Sequence, residues 1–398
     1  MRFLNWLAQI VSVTHMNLRN VPARPSSTIV AMLGIAGVVA VLVAVLSIAA
    51  GFRSTLETTG SEDAAIVLRS GSTAELSSGL SADQVRIIAE APGVRAGADG
   101  PLASAELFVV VDAPKRGAGT PANVPLRGVG PNAFEVRDSF ALTKGRRFES
   151  GLREVIVGAG AAREFSGLDV GATLKWGSNE WMVVGEFEDG GSLSESEIWT
   201  DVRVLQDAYN RGSSFQSMRV KLENPDMLQT FSDALSSDAR LNVTVERESE
   251  FYAGQAGPLA RIIESIGWVV TAMMGLGAIF AAILTMYAAV SARTIEIATL
   301  RALGFGRIPI VVSVLVEALV LGLIGGLIGG VLAYIGFNGY QASTLNWSSF
   351  SQVTFAFSVT PALIVTGMIY ALVMGFVGGL IPSWRAASMP ITAALREL

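Results

Sequence analysis

The sequence predicts an integral membrane protein of four transmembrane helices that carries an α+β extracytoplasmic domain of two subdomains. Three observations predict it. The chain is 51% hydrophobic and 16% charged, whereas soluble chains carry about a quarter charged residues. The deficit is local, because residues 25–52, 265–292 and 318–384 contain no Asp, Glu, Lys or Arg. The remaining charge is also partitioned. Segments 1–27, 291–307 and 383–398 together hold eight bases and two acids, while segment 53–264 holds 21 bases and 31 acids.

A bilayer core needs about 20 apolar residues per helix. Residues 28–50 and 265–290 therefore read as single spans. Residues 308–336 and 359–382 read as two more, the last with Thr360 as N-cap and Pro361 as its first helical residue. Basic loops mark the cytoplasmic side, so the partition places both termini and residues 291–307 in the cytoplasm. It places residues 51–262 and the loop 337–358 outside. Tyr340, Trp347 and Phe350 in that loop suit the outer interface. The apolar run 28–50 exceeds a 7–15-residue signal core and reads as an uncleaved anchor.

Residues 1–27 begin with Phe3, Leu4, Trp6, Leu7, Ile10, Val11 and Val13, opposed by Arg2, Asn5, Gln9 and Ser12. This predicts an amphipathic helix on the inner membrane surface. Early extension of the first span is the alternative, against which Pro22 and Pro25 stand.

In the soluble region, strands are predicted at Ala64–Leu68, Glu106–Val111, Val124–Val129, Glu154–Val157, Met218–Leu222 and Asn242–Val245. Helices are predicted at Ser81–Ala91, Asp201–Tyr209 and Asp226–Leu235. Thr173–Trp176 and Glu180–Phe187 read as a hairpin around Gly177–Ser178–Asn179. The Pro/Gly-rich stretch Ala113–Pro125 separates an N-terminal part from a β-rich subdomain at about 124–212, inserted within the first.

The chemistry-bearing residues are few. Cysteine is absent and His15 is the sole histidine, which argues against a metal site or a thiol nucleophile. No G-x-x-x-x-G-K-[ST] or G-x-S-x-G pattern occurs. The many acids of 53–264 show no spacing that singles out a catalytic pair, and they read as a solvated acidic surface. The chain is therefore not expected to be an enzyme, and it is expected to hold no metal or cofactor of its own.

Ser291–Arg307, SARTIEIATLRALGFGR, is the most informative stretch. Ile295, Ala298 and Ala302, with Leu300 and Leu303 one turn round, give an apolar helical face. Glu296 can pair with Arg293, and Gly304 and Gly306 end the helix. Such a helix can dock into a groove on a cytoplasmic partner or simply cap the spans. Glu317 lies inside the third span. A charge there is expensive, so the residue forms an interhelical bond or snorkels from a shallower position. Gly322, Gly325, Gly326, Gly329 and Gly330 repeat a small-xxx-small spacing that lets helices approach closely, within one subunit or at a dimer seam.

The run RTIEIATLRALGFGR, followed by an apolar span with an early Glu and then GLIGGLIGG, resembles the MacB/FtsX-type ABC transporter permease family. MNLRNVPARPSSTIVAMLGI and IPSWRAASMPITAALREL resemble the family's ends. LRGVGPNAF, LTKGRRFESG, EVIVGAGAAREF and VVGEFEDGG resemble its MacB-like periplasmic core domain. The resemblance implies an inner-membrane permease whose loop helix couples to a cytoplasmic ABC ATPase dimer. The coupling residues would be Arg293, Glu296, Ile297, Leu300, Arg301, Leu303 and Gly304. The ATPase, with its ATP and magnesium, is expected on a separate polypeptide, and a second permease copy or related permease is expected beside this one. Efflux by mechanotransmission, with a periplasmic adaptor and an outer-membrane channel, is the first expectation. An FtsX-like regulator of an extracytoplasmic hydrolase and a Lol-type lipoprotein-extracting permease are the alternatives. No nucleic-acid partner is expected.

Overall fold

The computed structural model describes residues 2–20, 25–98, 100–346 and 349–388. Pro22, Arg24, Trp347, Arg396 and Glu397, used above, lie outside them, as do the side chains of Arg2, Phe3, Leu4, Asn5 and Trp6.

The chain opens with helices α1 (Arg2–Asn20) and α2 (Pro25–Glu57), then strands β1 (Ala64–Arg69) and β2 (Leu80–Ser81) and helix α3 (Ala82–Ala89). Strands β3 (Ala96–Gly97), β4 (Gly100–Pro101), β5 (Ala103–Pro114) and β6 (Pro121–Val129) lead to α4 (Ala133–Val136), β7 (Phe140–Gly145), β8 (Glu154–Gly158) and α5 (Ala159–Glu164). Strands β9 (Thr173–Trp176), β10 (Asn179–Asp189) and β11 (Ile198–Asp201) precede α6 (Val202–Ala208). They are followed by β12 (Ser214–Phe215), β13 (Ser217–Lys221), α7 (Met227–Ser237) and β14 (Val243–Arg247). The rest is α8 (Glu248–Ser291), α9 (Thr294–Ala302), α10 (Arg307–Phe337), β15 (Gln341–Asn346), β16 (Ser351–Ala356) and α11 (Pro361–Ser388).

Two units form. One comprises residues 1–50, 261–340 and 357–398, the other residues 51–260 and 341–356. Among the described residues four helices, α2, α8, α10 and α11, are long and apolar enough to cross a membrane.

In the helical unit, α10 packs against both α2 and α11 through its glycines. A Cβ at Gly325 would meet Met32 O at 3.0 Å, and one at Gly329 would meet Ala36 O at 2.4 Å, both on α2. On the other side, a Cβ at Gly322 would meet Ala371 O at 2.9 Å, one at Gly326 the Ala371 Cβ at 2.7 Å, and one at Gly330 the Ile364 Cγ2 at 3.1 Å, all on α11. The glycine stripe thus serves packing between helices of one chain. Helix α1 also packs on α10. Val13 and Asn17 are buried, and Asn17 Nδ2 donates to Ser313 Oγ. Leu7 and Val11 are exposed, so α1 keeps an apolar surface free alongside the side that meets α10.

The α/β unit is built on a mixed sheet in the order β14-β1-β13-β5-β6-β11-β8-β10-β7, with β9 paired to β10. Local signals start its elements. Ser81 caps α3 with a capping box to Gln84, Asp201 caps α6, and Gly177 (φ +61°) turns the β9–β10 hairpin. Two parts share strand β5. Ala103–Glu106 pair with β13, while Leu107–Pro114 pair with β6. Ala65, Val67, Met218, Val220, Phe231 and Leu235 form the core of the first part. The second part is covered on both sheet faces. Val109, Leu126, Val155, Trp181 and Leu205 lie in one core, and Ile156, Phe187 and Trp199 in another.

Three expectations are corrected here. The inserted part begins at the Glu106/Leu107 seam rather than near residue 124, because one strand serves both halves. The stretch Ala113–Pro125 joins the β5–β6 hairpin, whose last pair is Pro114 with Pro121, and separates nothing. The loop 337–358 contains a β15–β16 hairpin seated on the α/β unit. Thr354 N donates to Ser196 Oγ at 2.9 Å, and Asn123 Nδ2 donates to Phe350 O at 2.8 Å.

Candidate functional site

Between α8 and α10 the chain makes a short helix, and its ends explain themselves. Leu303 is the C-cap of α9 and Gly304 follows with φ +93°. Phe305 N donates to Leu300 O and Gly304 N to Arg301 O, at 3.1 Å each. This is the Schellman pattern that glycine permits. At the other end Arg293 occupies the N-cap position.

Arg293 does not pair with Glu296, as its sequence spacing allowed. It turns inward, and its Nη1 and Nη2 donate to Glu317 Oε2 and Oε1 of α10 at 3.1 Å each. Arg293 is 4% exposed and Glu317 5%, whereas Glu296 is exposed. The buried acid sits ten residues into α10, or about 15 Å along it. A forked guanidinium–carboxylate pair neutralises it there. Of the two readings of Glu317, the interhelical bond is the one observed. Met286, Val290, Ile310, Val314 and Ala386 pack with Ile297 around this anchor.

The anchor divides the residues singled out by sequence. Arg293 and Ile297 face inward. Leu300 and Arg301 are half-buried, and Glu296, Leu303 and Gly304 are exposed. The apolar face read from spacing is likewise split. Ala298 is 3% exposed and belongs to the core, while Ile295 is 47% and Leu303 73% exposed. Together with Thr299 and Ala302, these two make the outward face of α9. Thr299 is new to this set. On a helical wheel it lies between Ile295 and Leu303, about 120° round from Arg293.

The acids of residues 53–264 do not all form a solvated surface, and this corrects a further expectation. A charge cluster is buried at the Glu106 seam. Arg127 Nη1 donates to Glu75 Oε1 (2.7 Å) and Glu106 Oε2 (2.9 Å), while its Nε and Nη2 hold Glu197 at 2.7 Å each. Glu106 also accepts from Arg137 at 2.8 Å and from Ser104 at 3.0 Å. Arg219 lies 3.2 Å from Glu106 and bonds both Glu248 and Tyr252. Burial alone would raise the Glu75 carboxyl, but Arg127 and then Arg219 outweigh it and bring it down to about 2. Glu106 is lowered in the same way, with burial opposed by Arg137, Arg219 and Arg127. Trp199 Nε1 donates to Glu197 and the Arg137 guanidinium lies 4.5 Å over the Trp199 ring, so aromatic packing completes the enclosure. Among the described residues no group of His, Cys, Asp or Glu is placed to hold a metal ion.

Comparison with protein families matches residues 28–238 to the MacB-like periplasmic core domain and residues 268–391 to the FtsX-like permease C-terminal domain. The chain belongs to the MacB/FtsX-type ABC transporter permeases. It is thus a membrane protein with an extracellular domain, in a family of permeases that work with cytoplasmic ABC ATPases. A search of curated proteins gave no match. Among solved structures, the permease is similar to the extracellular domain of the noncanonic ABC-type transporter YknZ from Gram-positive bacteria, at 15% identity and TM-score 0.36, covering 46% of this chain and 99% of that one. It is also similar to the periplasmic region of MacB from Actinobacillus actinomycetemcomitans, at 11% identity and TM-score 0.37, covering 49% and 93%. A domain of a putative permease protein from Porphyromonas gingivalis matches at 16% identity and TM-score 0.32, covering 46% and 87%.

Proposed function

We propose that this permease transmits force. A cytoplasmic ABC ATPase docks on the outward face of α9, and its ATP-driven closure shifts the spans and moves the extracellular domain to drive export. The single observation behind this reading is the design of α9. Its inner side is fixed by the buried Arg293–Glu317 fork, while Ile295 and Leu303 remain exposed. A helix held rigidly from beneath and apolar on top suits groove docking and passes on displacement instead of absorbing it. The charge partition supports placing α9 and both termini in the cytoplasm of a bacterial inner membrane. ATP and magnesium belong to the ATPase in this reading, and two permeases stand over an ATPase dimer. An adaptor and an outer-membrane channel are the matching partners outside.

The test is Leu303→Asp, alone and with Ile295→Asp, in the full chain. Both side chains are exposed, so the fold survives the change. ATPase recruitment to membranes is expected to fall at least tenfold, while Leu152→Asp, exposed in the extracellular domain, leaves it unchanged. Undiminished recruitment in the double variant rules out α9 as the docking surface.

A further inference from the structure

Helix α8 is a single helix of 44 residues, and its first two turns are held from two directions within the α/β unit. Glu248 and Tyr252, at i and i+4, present one face, and both bond the guanidinium of Arg219 on β13. Phe251 stacks edge-on against Tyr252 with ring centroids 5.1 Å apart. The chain leaving α2 presses on the same turn, since a Cβ at Gly60 would lie 2.7 Å from Glu248 Cγ and 2.9 Å from Ser249 N.

Arg219 carries that hold inward. It touches Glu106, the last residue of β5 paired with β13, and Glu106 touches Arg127, which grips Glu75 and Glu197. Every member of this path is at most 9% exposed. Water therefore cannot replace a lost partner, and separating Glu248 from Arg219 would leave a buried charge uncompensated. The path crosses the seam where the two halves of the sheet meet.

We infer that Arg219 is a positioning residue that locks the first two turns of α8 to β13 and the β5 seam. The start of α8 and both halves of the sheet then move as one body. The movement it would transmit rests on the force-transmission reading above, but the lock itself is a property of this chain alone.

The chain has no cysteine, so spin-label pairs can be introduced directly into the full chain in lipid nanodiscs. One pair, Gly254→Cys with Ser178→Cys, measures α8 against the sheet. Gly254 has open space around it and Ser178 is exposed. The second pair, Asp83→Cys with Ser178→Cys, measures one half of the sheet against the other. In the near-isosteric background Glu248→Gln with Tyr252→Phe, the first distance distribution is expected to widen at least twofold and the second to stay unchanged. An unchanged first pair overturns the lock. Equal broadening of both pairs overturns it too, since the residues would then merely maintain the fold. Neither result depends on whether an ATPase binds α9, so failure of that docking is seen separately, as undiminished recruitment in the Ile295 and Leu303 double variant.

Discussion

Replacing Gly329 with alanine tests how closely α10 lies on α2. The added Cβ would stand 2.4 Å from Ala36 O and 2.9 Å from Val39 Cβ. Ordinary contact begins near 3.4 Å, so the helices must part by about 1 Å, a gap that forfeits a quarter to a half of each dispersion contact along the seam. Overpacking of this kind costs about 1–3 kcal/mol, and the better helix propensity of alanine returns about 1 kcal/mol at most. Because the clash is with backbone, the upper end of that range applies, and the net loss of about 2 kcal/mol would lower a melting midpoint by about 4–8 °C if the helical unit behaves like a domain of 150–250 residues. Gly330→Ala meets the Ile364 Cγ2 methyl at 3.1 Å, a milder clash, and should lose less, and Gly336→Ala meets nothing within 4 Å and should lose nothing. The assay is the fraction of detergent-solubilised chain that stays monodisperse after heating, read by size exclusion across the three variants. If Gly329→Ala melts together with Gly336→Ala, the contact with α2 is not the close one described.

Two further outcomes follow from the buried charges. Glu317→Gln leaves Arg293 buried beside a neutral partner, at a loss of about 3–5 kcal/mol. Amide exchange across α9 should quicken while that of α7 does not, and the pair Arg293→Met with Glu317→Met should recover most of the protection. Additive losses in that pair would show that the fork does not hold α9. Glu75 has its carboxyl depressed to about 2 in the folded protein against about 4.3 in an unfolded chain. Its contribution, about 3 kcal/mol, is therefore complete above about pH 4.5 and is lost as pH falls towards 2. Denaturation of the extracellular domain followed by tryptophan fluorescence should show that loss, and Glu75→Gln should remove this segment of the pH dependence. A midpoint independent of pH between 4.5 and 2 would exclude it.

The spans were legible because charge-free runs of this length have one physical explanation, and α2, α10 and α11 fall where those runs lie. The start of α8 was not. Residues 248–264 mix Glu248, Glu250, Arg261 and Glu264 with Gly254, Gly257 and Pro258, and those breakers leave the local preference for helix weak. Tertiary bonds from Arg219 to Glu248 and Tyr252 add the hold that the local sequence lacks. The β15–β16 hairpin was hidden for a related reason. Its first strand, QASTLN, carries little apolar alternation and its second, SQVTFA, alternates over Val353 and Phe355 alone, while further hold comes from the bonds of Thr354 to Ser196 and of the turn residue Phe350 to Asn123, far along the chain.

The charge cluster escaped a different rule. Alternation along a strand assumes one wet face, and β6 and β8 here are covered on both. Arg127 in VPLRGVG therefore has nowhere exposed to point, and its position within that apolar run was the available sign. The coupling helix shows how such signs should be ranked. Local spacing offered Arg293 to Glu296, an exposed partner worth about half a kcal/mol. Glu317, inside a span, needed a cation to avoid a penalty several times larger. Partners assigned from the most desolvated charge outward give Arg293 to Glu317 first. Glu296 is then left on the surface of α9, and the rotation of that helix, with Ile295 and Leu303 turned away from the bundle, follows from the one pairing.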